Sequence, residues 1–236
     1  DKNKKNISQI FMNKTSVISE KLKDDLRRVE YLKKITNKKN ILDFGCGWGF
    51  FLNKLKNAKS KYAVEIRKEC VDYIKKTYND INLIDNFDST KLNFDVITLF
   101  HVLEHLPYQI NFLKNLRKKL KKNGKIVIEV PCATDFLLSI DGFDSFKKFT
   151  FWEEHLILHT HITLKKFLLK AGFSNIKIIS FQRYNYLNHM GWLIDHKPGM
   201  QNKYKQFYDP VFEKNYSDFL TRNRFSDTLL AIGQVK

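Results

Sequence analysis

The sequence predicts a doubly wound α/β fold built on a seven-stranded, mostly parallel sheet. Three observations carry that expectation. Short apolar runs alternate with amphipathic stretches from residue 40 to residue 131, a glycine-rich turn follows the first of those runs, and 236 residues suit one α/β domain better than two.

Residues 16–36 set Val17, Ile18, Leu22, Leu26, Val29, Tyr31 and Ile35 at near-helical spacing among charges, so an amphipathic leader helix is expected first. This divides the chain into a leader, 1–37, and an α/β domain, 38–236. Asn40 to Phe44 reads as a strand, followed by the glycine turn, a helix to about Asn57 and a second strand from Lys61 to Ile66. Two strands joined by a helix imply a parallel pair with a right-handed crossover. A helix near 68–78, a short strand at Ile81–Ile84 and the apolar strand Phe94–Phe100 continue the rhythm. A helix over 109–121 is expected to stop at Asn123-Gly124, with Lys125–Val130 as the fifth strand, ended by Pro131. Residues 132–160 break the pattern before Thr163 opens a helix to Ala171-Gly172. Ile176–Phe181 and Thr228–Ile232 supply the last two strands. The stretch 184–226 is too long for a plain connection, so 132–160 and 184–226 are expected to be substrate-facing insertions after strands five and six.

A formal charge of +17 fits a polyanion partner, yet only Arg27, Arg28, Arg67, Arg117, Arg183, Arg222 and Arg224 supply guanidinium groups. Base and phosphate recognition favour that planar group, and the lysines fall on predicted helix faces, so a nucleic-acid partner is not expected. An anionic small molecule remains compatible. Cys46, Cys70 and Cys132 lack any paired spacing, which argues against disulfides and a cysteine zinc site and fits a reducing cytoplasm. No apolar run is long enough to span a bilayer, and residues 1–15 are too polar for a signal-peptide core. The chain opens on Asp1 rather than Met, which is compatible with a trimmed start and leaves the completeness of the N-terminus open.

The segment Ile41-Leu42-Asp43-Phe44-Gly45-Cys46-Gly47-Trp48-Gly49 ends a strand and opens a helix. Glycines there permit positive φ and let a ligand lie on the main chain, against the free N–H groups of the helix start. A dinucleotide fingerprint would need glycine at position 50, which is Phe50. Asp43, two residues before the first glycine, repels a pyrophosphate but suits an ammonium. Glu65, at the end of the second strand, suits two ribose hydroxyls.

Asp43 to Gly49, Glu65, and Phe94-Asp95-Val96-Ile97-Thr98-Leu99-Phe100-His101-Val102-Leu103-Glu104-His105-Leu106 together resemble class I S-adenosylmethionine-dependent methyltransferases, over roughly residues 38–131. The resemblance implies a Rossmann-like methyltransferase fold. S-adenosylmethionine would be the cofactor and S-adenosylhomocysteine the product. It implies that Asp43, Gly45, Cys46, Gly47 and Gly49 surround the methionine moiety and that Glu65 holds the ribose. Asp85, Asn86 and Phe87 would run along the adenine, with Ile66 on its other face. Phe100, His101 and His105 would close the pocket, Cys46 serving as a small packing residue.

On the acceptor side, methyl transfer to an alcohol needs alignment and a base. His101, His155 and His189 are the candidate catalytic residues. Glu153-Glu154-His155 with His159 and His161 forms a second cluster, in which His155 and His159 would stand one helical turn apart, but a metal site is not expected. Trp48, His155, Gln182, Arg183, Tyr184, Asn188 and His189 are the candidate substrate contacts. The dense run Phe181–His189, with Glu154-His155-Leu156, Lys197-Pro198-Gly199 and Ser226–Gly233, resembles a subgroup found with bacterial capsule and lipopolysaccharide biosynthesis. That subgroup often has a second glycine where Met200 stands. The expected reaction is O-methylation of a sugar hydroxyl or a phosphate-type oxygen, such as a phosphoramidate, on a nucleotide-linked surface-polysaccharide precursor. The alternatives are an RNA or small-metabolite methyltransferase and a non-catalytic cofactor-binding partner of an active enzyme, the latter disfavoured by the intact Asp43, glycines and Glu65.

Overall fold

The computed structural model describes residues 14–236, with side chains from Leu22 onward; the leader's first thirteen residues lie outside the described residues. Helix α1 (Lys14–Thr36) leads into β1 (Asn40–Phe44), α2 (Phe50–Lys54), β2 (Ser60–Val64), α3 (Lys68–Thr77) and β3 (Ile81–Leu83). Strand β4 (Phe94–Phe100) is followed by a 3-10 turn (Leu103–His105), α4 (Gln109–Lys118) and β5 (Leu120–Pro131). Then come α5 (Asp144–Thr150), α6 (His161–Lys170), β6 (Ser174–Phe181), α7 (Tyr186–Asp195), α8 (Pro210–Arg222) and β7 (Thr228–Gln234).

The seven strands form one sheet in the order β3-β2-β1-β4-β5-β7-β6. Strands β1 to β5 run parallel, and β7 is antiparallel to both its neighbours. The order reverses between β1 and β4, and the crevice beyond the carboxyl ends of strands at such a reversal is where open α/β sheets bind ligands. The ends of β5 and β6 face the same edge, and residues 132–160 and 184–226 leave from it.

Alternation along the central strands covers both faces of the sheet. Leu42, Ile97, Leu99, Ile126 and Ile128 pack on one face with Leu113 and Leu116 of α4 and Leu164 and Leu168 of α6. Ile41, Val96, Val127 and Leu230 pack on the other with Leu32 of α1, Phe51 and Leu52 of α2 and Ile74 of α3. The leader is thereby part of the core.

Several boundaries differ from the expectation: α2 ends at Lys54 rather than near Asn57, β2 at Val64 rather than Ile66, and β5 begins at Leu120 rather than Lys125. Asn123-Gly124 does not stop a helix. The α4 cap is Lys119, and Asn123, at φ 61°, lies inside β5. Phe94 pairs with Leu120 but Val96 with Lys125, so the Asn-Gly pair absorbs surplus residues in a bulge, where a left-handed φ is as useful as at a helix end. Helix α6 starts at His161 because Thr160 and Thr163 form a reciprocal capping box, with Thr160 as the cap. The 184–226 insertion contains α7 and α8, the latter capped by Asp209 with Pro210 in its first turn. Near Pro198, Gly199 takes φ 77° and Met200 opens a 3-10 turn.

Candidate active site

The glycine turn has the geometry its sequence demands. Gly45, Gly47 and Gly49 take φ of 76°, 58° and 74°. A Cβ on Gly45 would meet Val102 Cγ2 at 2.5 Å, and one on Gly49 would press on Ile74 and Tyr78. Asp43, the penultimate residue of β1, is almost fully buried, and the Thr98 hydroxyl of β4 donates to its Oδ1 at 2.6 Å. Burial raises the Asp43 carboxyl to about 7, against the pull of Thr98. Burial likewise raises the Cys46 thiol, the carboxylates of Asp43 and Glu65 adding to it, so this cysteine is no nucleophile.

Glu65 reaches back across the turn. Its Oε2 accepts from Gly47 N–H at 2.7 Å, and its Oε1 accepts from the amides of Ile66 and Arg67, both at 3.0 Å. Burial pushes its pKa up, but the hydrogen bonds and charge of Arg67 and the Gly47 amide hold it below the usual carboxylate value. The half-exposed Arg67 guanidinium lies on both carboxylate oxygens at 3.2 Å, where a ribose would bind. Exposed ion pairs contribute only about 0.2–1 kcal/mol. Arg67→Ala is therefore expected to leave S-adenosylmethionine affinity unchanged or improve it by up to about fivefold. A calorimetric loss beyond tenfold would instead make Arg67 a cofactor ligand.

The expected adenine wall is mixed. Ile66 is 93% exposed and free to cover a ring, and Asp85 and Asn86 are exposed beyond β3. Asn86 Oδ1 caps the turn at Ser89 N–H. Phe87 is half-buried, its ring set perpendicular to that of Phe44 at 5.2 Å with the Lys119 ammonium 5.9 Å from its centroid. Trp48 packs edge-on against Tyr73 beside the turn. Phe100, at the end of β4, packs on Phe51 beneath the Arg28 guanidinium.

Beyond Phe100, His101 adopts a left-handed φ of 55°, a strained conformation that clusters at functional sites. Its Nδ1 contacts Glu104 Oε1 at 3.2 Å, and its Nε2 lies 3.5 Å from Glu129 Oε1 and 3.0 Å from Arg183 Nη1. Burial and Arg183 lower its pKa, but the two carboxylates outweigh them and raise it. A guanidinium can only donate, so the Arg183 contact requires the lone pair of His101 Nε2, and the ring proton on Nδ1 faces Glu104.

Glu129, wholly buried, centres a network that the sequence reading missed. Arg27 Nη2 donates to both its oxygens at 2.9 Å, and Arg28 donates to Oε1 through Nε at 3.0 Å and Nη2 at 2.6 Å. Arg28 also pairs with Asp25 at 2.8 Å, and Arg183 with Asp24. The signal was one acid inside the apolar run Ile126-Val127-Ile128-Glu129-Val130, which requires cationic partners. Arg183, expected at the substrate, spends its guanidinium on Asp24 and His101.

The remaining candidates divide. His105 Nδ1 donates to Glu154 O at 2.8 Å and His155 Nδ1 to Thr150 O at 2.7 Å, with the two rings 5.0 Å apart. Burial lowers the His155 pKa despite the Thr150 carbonyl. His159 is not beside His155 on a helix. It is buried, donating to Gln109 Oε1 at 2.6 Å, and desolvation takes it to about 4. His189, on α7, touches Gln182 just beyond the end of β6. It stacks on Phe136, contacts Tyr216 Oη at 2.8 Å through Nδ1, and burial lowers it to about 4. Gln182 bridges its own segment, donating to Tyr184 O and contacting His189 Nε2. The Tyr184 amide donates to Asp227, its ring beside the Arg183 guanidinium, and Asn188 is buried against Gln201. These contacts fasten Gln182, Asn188 and His189 to neighbouring parts of residues 182–227.

The Methyltransferase domain family matches residues 16–178, more than half of the chain. An uncharacterised protein of Methanocaldococcus jannaschii is 29% identical over 58% of this chain and 56% of its own length. A tRNA U34 carboxymethyltransferase of Colwellia psychrerythraea is 24% identical over 65% of this chain and 50% of its own length. A ubiquinone biosynthesis O-methyltransferase of Coxiella burnetii is 29% identical over 42% of this chain and 47% of its own. The chain thus spans about half the length of the curated relatives it matches. Among solved structures, a possible histamine N-methyltransferase of Thermotoga maritima shares the fold with a TM-score of 0.61 at 17% identity, covering 93% of this chain and 92% of that one. An Archaeoglobus fulgidus S-adenosylmethionine-dependent methyltransferase does so at 0.62 and 20%, covering 94% of this chain and all of that one. Among the described residues, no helix is long and apolar enough to cross a membrane. The glycine turn with its positive φ angles, the buried Asp43 and the carboxylate at the end of β2 fit S-adenosylmethionine, and the chain belongs to the class I S-adenosylmethionine-dependent methyltransferase family.

Proposed function

We propose that the chain methylates an oxygen of a small anionic acceptor, a sugar hydroxyl or phosphate-type oxygen such as a phosphoramidate on a nucleotide-linked surface-polysaccharide precursor. The cofactor supplies an electrophilic methyl on a sulfonium. Asp43, the glycine turn and Glu65 hold it at the end of β1, and the ends of β4 and β5 present the acceptor.

The observation that carries an anionic acceptor is Arg27. Its Nη2 is held on Glu129, while Nε and Nη1 are buried with no partner among the described residues. Two donors on a guanidinium that shares Glu129 with His101 suit an acceptor oxyanion, and a group already ionised needs no strong base. Arg27→Gln is expected to raise the KM for nucleotide-linked or phosphorylated sugars about tenfold or more, the loss of a charge-assisted hydrogen bond, while leaving cofactor affinity intact. Radiolabelled methyl transfer to an acceptor panel measures this. The similarity to a tRNA-modifying enzyme and the lysine excess favour a second reading, an RNA substrate. Label entering tRNA with steep salt dependence, and none entering sugars, would replace the first reading with the second.

A further inference from the structure

We propose that Glu104, His105 and His155 form a site for one divalent transition-metal ion of the zinc type. The 3-10 turn after β4 supplies the first two residues, and the segment between α5 and α6 supplies the third. One potential ligand atom from each lies within 4.8 Å of the other two. Tetrahedral zinc with bonds of about 2.0–2.1 Å sets its ligands ~3.3 Å apart, so closure needs side-chain torsions of two half-buried histidines and no backbone rearrangement.

Both imidazoles are already in a ligating tautomer. A carbonyl oxygen can only accept, so the contacts of His105 Nδ1 with Glu154 O and of His155 Nδ1 with Thr150 O place the ring proton on Nδ1. Each Nε2 therefore carries a lone pair. A backbone carbonyl behind the far nitrogen is the outer support that metal-ligating histidines have.

Glu104 completes the set. Its side chain is 0% exposed, its Oε1 faces His101, and its Oε2 is buried without a partner among the described residues. A buried carboxylate oxygen with nothing to accept from is costly, and a cation on Oε2 removes that cost. The two segments are also fastened together, since the amides of Leu156 and Ile157 donate to Glu104 O at 2.9 and 3.3 Å.

Two imidazoles and one carboxylate suit zinc or a neighbouring transition metal rather than magnesium or calcium, which prefer oxygen throughout. Three protein ligands leave a position open, as in catalytic rather than structural sites. An acceptor hydroxyl in that position would become more acidic and release its proton to water. That role rests on the O-methyl reading, whereas metal binding does not.

Tag-free, chelator-stripped protein titrated with cobalt(II) tests the site. The expected result is one equivalent bound with intense visible d–d bands of four-coordination, displaced by one equivalent of zinc and not by excess magnesium. His155→Ala and His105→Ala are expected to weaken cobalt binding by about tenfold or more, whereas His161→Ala, whose imidazole bonds Ser180 outside the cluster, retains it. Circular dichroism confirms that each variant is folded, and His155→Gln serves if the alanine variant is not. Absence of the bands in the parent, or bands unchanged in folded His155 variants, overturns the proposal. The cobalt spectrum involves no acceptor, so failure of the O-methyl reading leaves it unaffected.

Discussion

Asp43→Asn is expected to make the free protein more stable above pH 7 and, at the same time, to weaken S-adenosylmethionine binding by at least about tenfold. The carboxyl is buried and raised from 3.8 to about 7, so between those values the folded state holds a proton that the unfolded chain has released. The stability this group contributes is full below pH 4 and is lost as pH rises to about 7, where ionisation must occur without water. A shift of this size corresponds to about 4 kcal/mol at ~1.4 kcal/mol per unit, and relaxation around the site reduces the expected gain to about 1–3 kcal/mol. Asparagine keeps the shape and can still accept from the Thr98 hydroxyl. Melting temperatures from pH 5 to pH 9 should therefore separate progressively between parent and variant and then run parallel above pH 7. In the parent, cofactor affinity should rise across the same interval, because an ammonium ligand requires the ionised carboxylate. A variant no more stable than the parent at pH 8 would mean that the buried charge carries no such penalty, and a variant binding the cofactor equally well would remove Asp43 from the anchor.

The cofactor half of the fold was legible because its signals are local. Asp43, the three glycines and Glu65 sit within one βαβ unit, where turn geometry leaves few options for each residue. The acceptor half was legible only in outline, because its contacts are long in sequence. Asp24 meets Arg183, and Arg27 and Arg28 meet Glu129, across separations of more than a hundred residues that no periodicity encodes. Arg183, His189, Gln182 and Asn188 were recognised as polar residues too concentrated to be incidental. Which of them faces a ligand and which braces the insertion depends on Tyr216, Phe136, Asp227 and Gln201, residues with no distinctive pattern of their own. Phe87 shows the same limit within the cofactor half, its ring being drawn into the core by Phe44.

Glu129→Gln carries the largest expected cost to stability, about 3–5 kcal/mol. The carboxylate is wholly buried and its pKa is driven well below the usual value: burial opposes ionisation, but His101, Arg28 and Arg27 overcome it. Neutralising it leaves the buried Arg28 with only Asp25 and removes the anion that holds Arg27 and His101 together. Helix α1 would keep its apolar contact through Leu32 but lose the ionic hold on β5, so local release of the helix should precede global unfolding. Urea denaturation should show a lower midpoint, and limited proteolysis should show new cleavage between residues 22 and 37. A second variant distinguishes the cost of breaking the network from its net value. Replacing Glu129 and Arg28 together by Leu and Met, in an Asp25→Asn background so that no carboxylate is left unpaired, removes the buried charges while filling the space, and such exchanges are often neutral or stabilising. If the combined variant recovers the parent's stability yet has a raised acceptor KM, the buried charges are retained for the position they give Arg27 and His101 rather than for the free energy of folding. Full activity in a stable combined variant would instead make the network structural and remove Arg27 from the acceptor site.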